Sequence, residues 1–167
     1  MLTHTVANVI ESKKLQEVVS VPPTATAYEA AALMSGKGIG AVVIRDAGGH
    51  VEGIFTERDV MRRIVAEGRD PKTTRVTGVM SANVRHVPSS TTVEAALQLM
   101  VMHGYRHLLV LDDAQVRGLI SIRDLMHWFI IPDTAMAHEG RYGHILSRTQ
   151  EAVRSLQGVK PDDKPAH

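Results

Sequence analysis

Apolar and polar positions along the chain fall into a short series of alternating signatures. Val6, Val9 and Ile10, with Leu2, share one side of a predicted helix over residues 2–13, a face too small to be stable without a partner. Val18-Val19-Ser20-Val21 reads as a strand ended by Pro22-Pro23. Thr24 or Thr26 can cap a following helix whose packing face is Ala27, Ala30, Ala31, Leu33 and Met34, and Gly36, Gly38 and Gly40 break it. Ala41-Val42-Val43-Ile44 is an uninterrupted apolar run, as in a buried strand. Asp46 to His50 is a turn, Val51 to Phe55 another strand, and Thr56-Glu57-Arg58-Asp59 opens a helix through Val60, Met61, Ile64 and Val65. The unit is strand, helix, strand, turn, strand, helix.

After a charged, threonine-rich connector from Glu67 to Thr77, the unit returns. Val21-Pro22 recurs as Val87-Pro88, Leu33-Met34 as Leu99-Met100, and Ala41 to Ile44 as His107 to Val110, all offset by 66 residues. Beyond the turn the offset is 65, with Gly53 answering Gly118 and Asp59 answering Asp124, so the second turn is one residue shorter. A length change confined to a surface turn is the mark of a duplicated folded unit. The predicted class is α+β, with repeats over 8–67 and 78–131 packed face to face, because a three-stranded unit cannot bury its own sheet face. Pro132 ends the second unit, and a C-terminal extension over 132–167 carries a predicted amphipathic helix, 140–157, and a disordered tail from Gly158.

The repeat ends in its most informative motif, Gly53-Ile54-Phe55-Thr56-Glu57-Arg58-Asp59 and Gly118-Leu119-Ile120-Ser121-Ile122-Arg123-Asp124. A hydroxyl residue at the end of a strand, with an aspartate three positions on, is a helix start. The same terminus can offer N–H groups and a hydroxyl to an anion, and its carboxylate can accept two sugar hydroxyls. Composition narrows the remaining classes. With 19 basic and 18 acidic side chains the overall field favours neither nucleic acid nor an acidic membrane, and Arg58, Arg62 and Arg63 without interleaved aromatics read as a solvated surface. The absence of Cys excludes disulfide and thiolate chemistry. No export signal or membrane-length apolar run is present, so a cytoplasmic protein is expected. Nine histidines include no pair at ligand spacing with an acid, so no metal is expected, and Met34, Met61, Met100, Met102 and Met126 read as packing residues. No nucleophile and base pair or Walker-type loop is legible, and no enzyme activity is expected.

The doubled unit and its G-h-h-[T/S]-x-R-D ending (h, apolar) resemble the cystathionine-β-synthase (CBS) domain as a tandem pair, over about residues 8–131. The resemblance implies a pseudo-twofold pair with two clefts between the repeats, dimerisation of such pairs, and binding of AMP, ADP, ATP, NAD or S-adenosylmethionine. It implies that Asp59 and Asp124 accept the ribose diol, that Thr56 and Ser121 contact phosphate or ribose, and that Gly40-Ala41 and Arg106-His107 meet the ligand. Adenine would lie near Val19 in one repeat and Arg85 in the other. Arg106 and His107, with Arg58 or Arg123, favour phosphates in the second repeat's cleft over that of Gly40-Ala41. The function implied is a non-catalytic adenine-nucleotide sensor acting through an effector protein or through its oligomeric state. The alternative is an interaction module with vestigial clefts.

Overall fold

The computed structural model describes residues 4–13 and 17–130. The expected helix over 140–157, the tail and Leu2 lie outside the described residues. In the first repeat β1 (Ser20–Val21) lies parallel to β2 (Ala41–Arg45), which pairs antiparallel with β3 (Val51–Thr56). In the second, β4 (His86–Val87), β5 (His107–Asp112) and β6 (Gln115–Ser121) repeat that order. Even the irregularities recur, since the ladder slips between Ile44 and Arg45 and again between Val110 and Leu111. The unequal turns join β2 to β3 through Gly49 in the left-handed region, and β5 to β6 through Asp113 and Ala114, both at positive φ.

Between the first two strands of each repeat runs a helix, α2 (Ala27–Lys37) and its counterpart α4 (Val93–His103). Thr26 is the cap, not Thr24: its hydroxyl accepts from Glu29 N–H and the Glu29 carboxylate accepts from Thr26 N–H at 2.7 Å. Thr92 likewise accepts from Ala95 N–H. The expected break at Gly36 does not occur. The helix runs through Gly36 and ends at Gly38, whose φ of 62° is easily reached only without a side chain, and Gly104 ends α4 in the same way. The last helix of repeat one begins as α3 (Glu57–Asp59) and widens into a π-helical segment, Val60–Val65, with Ala66 N–H donating to Met61 C=O. In that segment Ile64 is buried and Val60 packs against the core, while Met61 and Val65 are exposed, which leaves Met61 only the interface half of the core or interface packing expected of it. Met34 and Met100 are buried as expected, whereas Met102 is exposed. Repeat two ends in an ordinary helix, α5 (Ile122–Ile130).

Two cores result, and each borrows from outside its repeat. Val42, Ile44 and Phe55 pack with α2 and Ile64, and this cluster is completed by Val76, from the stretch read as a connector, and by Val79, from the span assigned to repeat two; residues Val76–Gly78 form a 3-10 turn. Leu108, Val110 and Ile120 pack with α4 and Leu125, and that cluster is completed by Val6 and Val9 from α1 (Val6–Ser12), which precedes repeat one. Backbone bonds fix the exchange: Val6 N–H to Thr91 C=O, Ala7 N–H to Ser89 C=O and Val93 N–H to His4 C=O on one side, Ala27 N–H to Thr74 C=O and Val76 N–H to Ala25 C=O on the other. Val43 and Leu109, buried outside both clusters, alternate onto the opposite face of each sheet.

The motif glycines, Gly53 and Gly118, lie where the borrowed segments cross the sheets. A Cβ on Gly53 would come within 2.6 Å of Met80 Sδ and 2.9 Å of the Ser81 carbonyl, and one on Gly118 within 2.9 Å of Ile10 Cδ1. Only the Ile10 tip can yield without moving backbone. Gly53→Ala should therefore cost about 1–3 kcal/mol in chemical denaturation, whereas Gly118→Ala should stay within about 1 kcal/mol of the parent.

Candidate functional site

The two copies of the motif fold into the same small device. At Thr56 the backbone N–H and the hydroxyl both donate to Asp59 Oδ2, at 2.9 and 2.7 Å, and Asp59 N–H donates back to the hydroxyl oxygen. At Ser121 the same three bonds join Ser121 to Asp124, with N–H and hydroxyl at 2.7 and 2.9 Å from Oδ2. This is a capping box in which aspartate takes the place of the usual glutamate. It fixes each carboxylate at the end of a strand, whatever else the carboxylate does.

What surrounds the two boxes differs. Asp59 is buried, and Arg63, one turn along the same helix, holds its Oδ1 at 3.6 Å while also donating to the carbonyls of Val79 and Met80. The residue that answers Arg63 in repeat two is Trp128. Asp124 is more open and takes its cation from the borrowed helix: Lys13 Nζ donates to Asp124 Oδ2 at 2.9 Å and to Leu119 C=O at 2.8 Å. Burial works against ionisation of Asp124, but the Lys13 charge and hydrogen bond, with the two Ser121 donors, outweigh it and hold its pKa below the usual carboxylate value.

Asp124 opens onto a cleft of about 540 Å³ between the repeats. Of the residues expected to meet a ligand, Val19, Gly40, Ala41, Arg106, His107, Ser121, Arg123 and Asp124 line it. Gly40-Ala41 and Arg106-His107, expected to serve separate clefts, instead share this one. Glu57 N–H bonds to Gly40 C=O and Ile122 N–H to Arg106 C=O, so each motif closes on its own strand start. The two strand starts then meet across the pair, with His107 Cε1 3.7 Å from where a Gly40 Cβ would stand. Thr56, Arg58, Asp59 and Arg85 are not among the lining residues. Arg58 donates to Gly104 C=O at 3.3 Å, across the repeats, and Arg85 to the Tyr105 hydroxyl at 3.2 Å.

Several lining residues escaped the sequence reading, notably Lys13, Glu17 and Glu57. A signal for Lys13 was present. Val6, Val9 and Ile10 recur as Val76, Val79 and Met80 at an offset of 70, which marks both segments as one repeated element, and Lys13 lies one turn beyond Ile10. Among the described residues no group of three or more acidic or histidine side chains is placed to hold a metal ion, and no helix is long and apolar enough to cross a membrane.

Comparison with known proteins gives this arrangement its family. The sequence model of the CBS domain matches residues 10–66 and again 76–131. The chain belongs to the CBS-domain family. Among solved structures, a CBS-domain protein of Burkholderia ambifaria MC40-6, described as a candidate signal-transduction protein, is 38% identical, with a TM-score of 0.74 over 80% of this chain and 99% of that one. The CBS-domain protein PAE2072 of Pyrobaculum aerophilum, solved in complex with AMP, is 27% identical, with a TM-score of 0.62 over 70% of this chain and 88% of that one. The CBS domain-containing protein CBSCBSPB3 of Arabidopsis thaliana is 29% identical across 89% of this chain, which spans only 26% of that longer protein.

His107 gives the CBS cleft a pH dependence. Burial pushes its imidazole pKa below the ordinary value of 6.5. Asp124 and Glu57 pull it up, and Lys13 and Arg106 add to the lowering. As pH falls the unfolded chain therefore takes up this proton before the folded one does, and stability drops as the pH passes below 6.5. Thermal unfolding at about pH 7.5 and about pH 5.5 should show a smaller acid-side loss in His107→Gln than in the parent.

Proposed function

We propose that this CBS pair is a non-catalytic sensor that binds an adenine nucleotide in the Asp124 cleft and passes its occupancy to a partner. The observation that carries the reading is the convergence, in one cavity, of the Ser121–Asp124 box with Arg106, Arg123 and the apolar wall of Val18, Val19 and Ala41. A fixed carboxylate suits a ribose diol, guanidinium groups suit phosphate, and the apolar wall suits a base. The AMP-complexed relative supports this ligand class. With Asp124 paired to Lys13, the remaining charges are Arg106 and Arg123 against Glu17 and Glu57. That even balance supports AMP, ADP or NAD over the more highly charged ATP.

The Asp59 box supports a different role. Its carboxylate is buried and paired with Arg63, which ties the last helix of repeat one to the Val79 and Met80 carbonyls just after the Val76–Gly78 turn. We read it as a structural replica of the ligand site, so that the interaction-module reading holds for one half of the molecule. Transmission would follow from the ligand's preference for one relative arrangement of the repeats, a coupling of about 1–3 kcal/mol that partner and ligand must share equally. A second copy of the chain suits the exposed Met61 and Val65 in repeat one and Val101 and Met102 in repeat two, since an isologous dimer uses the same apolar surface twice.

Isothermal titration separates these roles. Asp124→Asn should weaken AMP binding by about tenfold or more, the scale of one charged hydrogen-bond pair, with little loss of thermal stability. Asp59→Asn should do the reverse, lowering the melting temperature while keeping the isotherm. Loss of AMP binding in both variants would restore two equivalent sites, and no binding of AMP, ADP or NAD to the parent would reject the sensor. Val65→Asp with Met102→Asp should convert a dimer to a monomer in sedimentation velocity, and an unchanged sedimentation coefficient would remove that surface from the dimer.

A further inference from the structure

The Lys13–Asp124 pair bears on which ligands the cleft can accept. Asp124 Oδ2 already receives three bonds, from Ser121 N–H, the Ser121 hydroxyl and Lys13 Nζ, and Oδ1 has no protein partner among the described residues. A carboxylate offers about four acceptor positions, so a diol that uses Oδ2 as well as the open Oδ1 competes there with Lys13. The ammonium also neutralises the acceptor, weakening it for any neutral hydroxyl. A nucleoside held through Oδ2 therefore weakens the Lys13 pair on a half-buried carboxylate and brings no anion in its place. A nucleotide brings a replacement anion. Lys13 lines the same cleft as Arg106 and Arg123, the groups suited to hold that phosphate.

Resting on the nucleotide-binding reading above, we propose that Lys13 makes the cleft selective for phosphorylated over unphosphorylated nucleosides, by occupying Asp124 until a ligand supplies a phosphate in exchange. The helix carrying Lys13 does not need to leave for this to happen. It is pinned to repeat two by its Val6 and Ala7 N–H groups and by the burial of Val6 and Val9, while Lys13 lies at its C-terminal end, where the long side chain alone can change partner. Lys13 is thus a specificity-determining residue contributed by the segment that precedes β1, and at the offset of 70 the residue that answers it is the uncharged Asn83. Arg63, the cation on Asp59, is held by two further carbonyls and lies away from the lined cleft, so it has no corresponding exchange to make.

The test is isothermal titration of AMP and of adenosine into the parent, Lys13→Met and Lys13→Arg. Methionine keeps the length and apolar stem of the side chain and removes its charge, so adenosine should bind about three- to tenfold more tightly than to the parent, the range of a partly exposed ion pair no longer competing. AMP should bind no more tightly, so the ratio of AMP to adenosine affinity should fall by at least that factor. Lys13→Arg should keep the parent's ratio, which separates loss of charge from disturbance of the helix. An adenosine affinity that does not rise in Lys13→Met, or a ratio that does not change, overturns the proposal while leaving the sensor reading standing. Failure of AMP and adenosine to bind either the parent or Lys13→Met would reject the sensor reading and the proposal together.

Discussion

The exchange of flanking segments between the repeats is the constraint on which the rest of the structure depends. A three-stranded sheet with one covering helix leaves too little buried surface to fold alone. Here each sheet is completed by the segment that precedes the other repeat: Val6 and Val9 cover repeat two, Val76 and Val79 cover repeat one. Each such side chain contributes about 1.5–3 kcal/mol when fully buried, so neither half can shed its borrowed segment without losing a substantial part of its core. The exchange also explains the glycine that opens each motif. Gly53 and Gly118 leave room for Met80 and Ile10 to lie directly on the strand.

From that exchange follows the difference between two boxes of nearly identical sequence. The Thr56–Asp59 and Ser121–Asp124 bonds are local and depend only on residues three apart, so both copies form them. The cation that each aspartate then meets is decided by neighbours. Repeat one supplies Arg63 from its own widened helix and closes the site inward, burying the aspartate. Repeat two has Trp128 at the answering position, and its aspartate meets Lys13 from α1 at the edge of the cleft. The same motif thus serves as a helix staple in one half and as a candidate ligand anchor in the other. Asymmetry of this kind is open to a duplicated unit, because once one copy holds the fold the other can bear exposed, partly compensated charge.

Much of the fold was legible because its signals are local. The offset of 66 residues, a threonine cap on α2 at Thr24 or Thr26, the apolar runs of β2 and β5 and the shorter second turn all reflect backbone and side-chain preferences within a few positions. Where the reading failed, the cause was local structure overruled by packing. Gly36 stays helical because the next turn of α2 continues to Lys37 and the stop comes at Gly38. Met61 and Val65 face outward from the π-helical segment, whose widened turn the sequence pattern did not show. The candidate site was partly visible for the same reason. Ser121, Arg123 and Asp124 stand in a contiguous motif, whereas Lys13 and Glu17 reach the cleft only through the path of a segment whose partner lies about a hundred residues away.

The sequence by itself determined that there are two copies of one β-α-β-β-α unit, where the helix after each motif starts, and which carboxylate stands at that start, since all of these rest on near neighbours along the chain. Only the tertiary structure decided that the repeats trade their flanking segments, that Gly40-Ala41 and Arg106-His107 share a single cleft, and that Asp59 is sealed by Arg63 while Asp124 is held by Lys13. Those outcomes depend on which surfaces meet when two sheets stack, and side-chain reach across such an interface leaves no period or spacing in the chain from which it could be read.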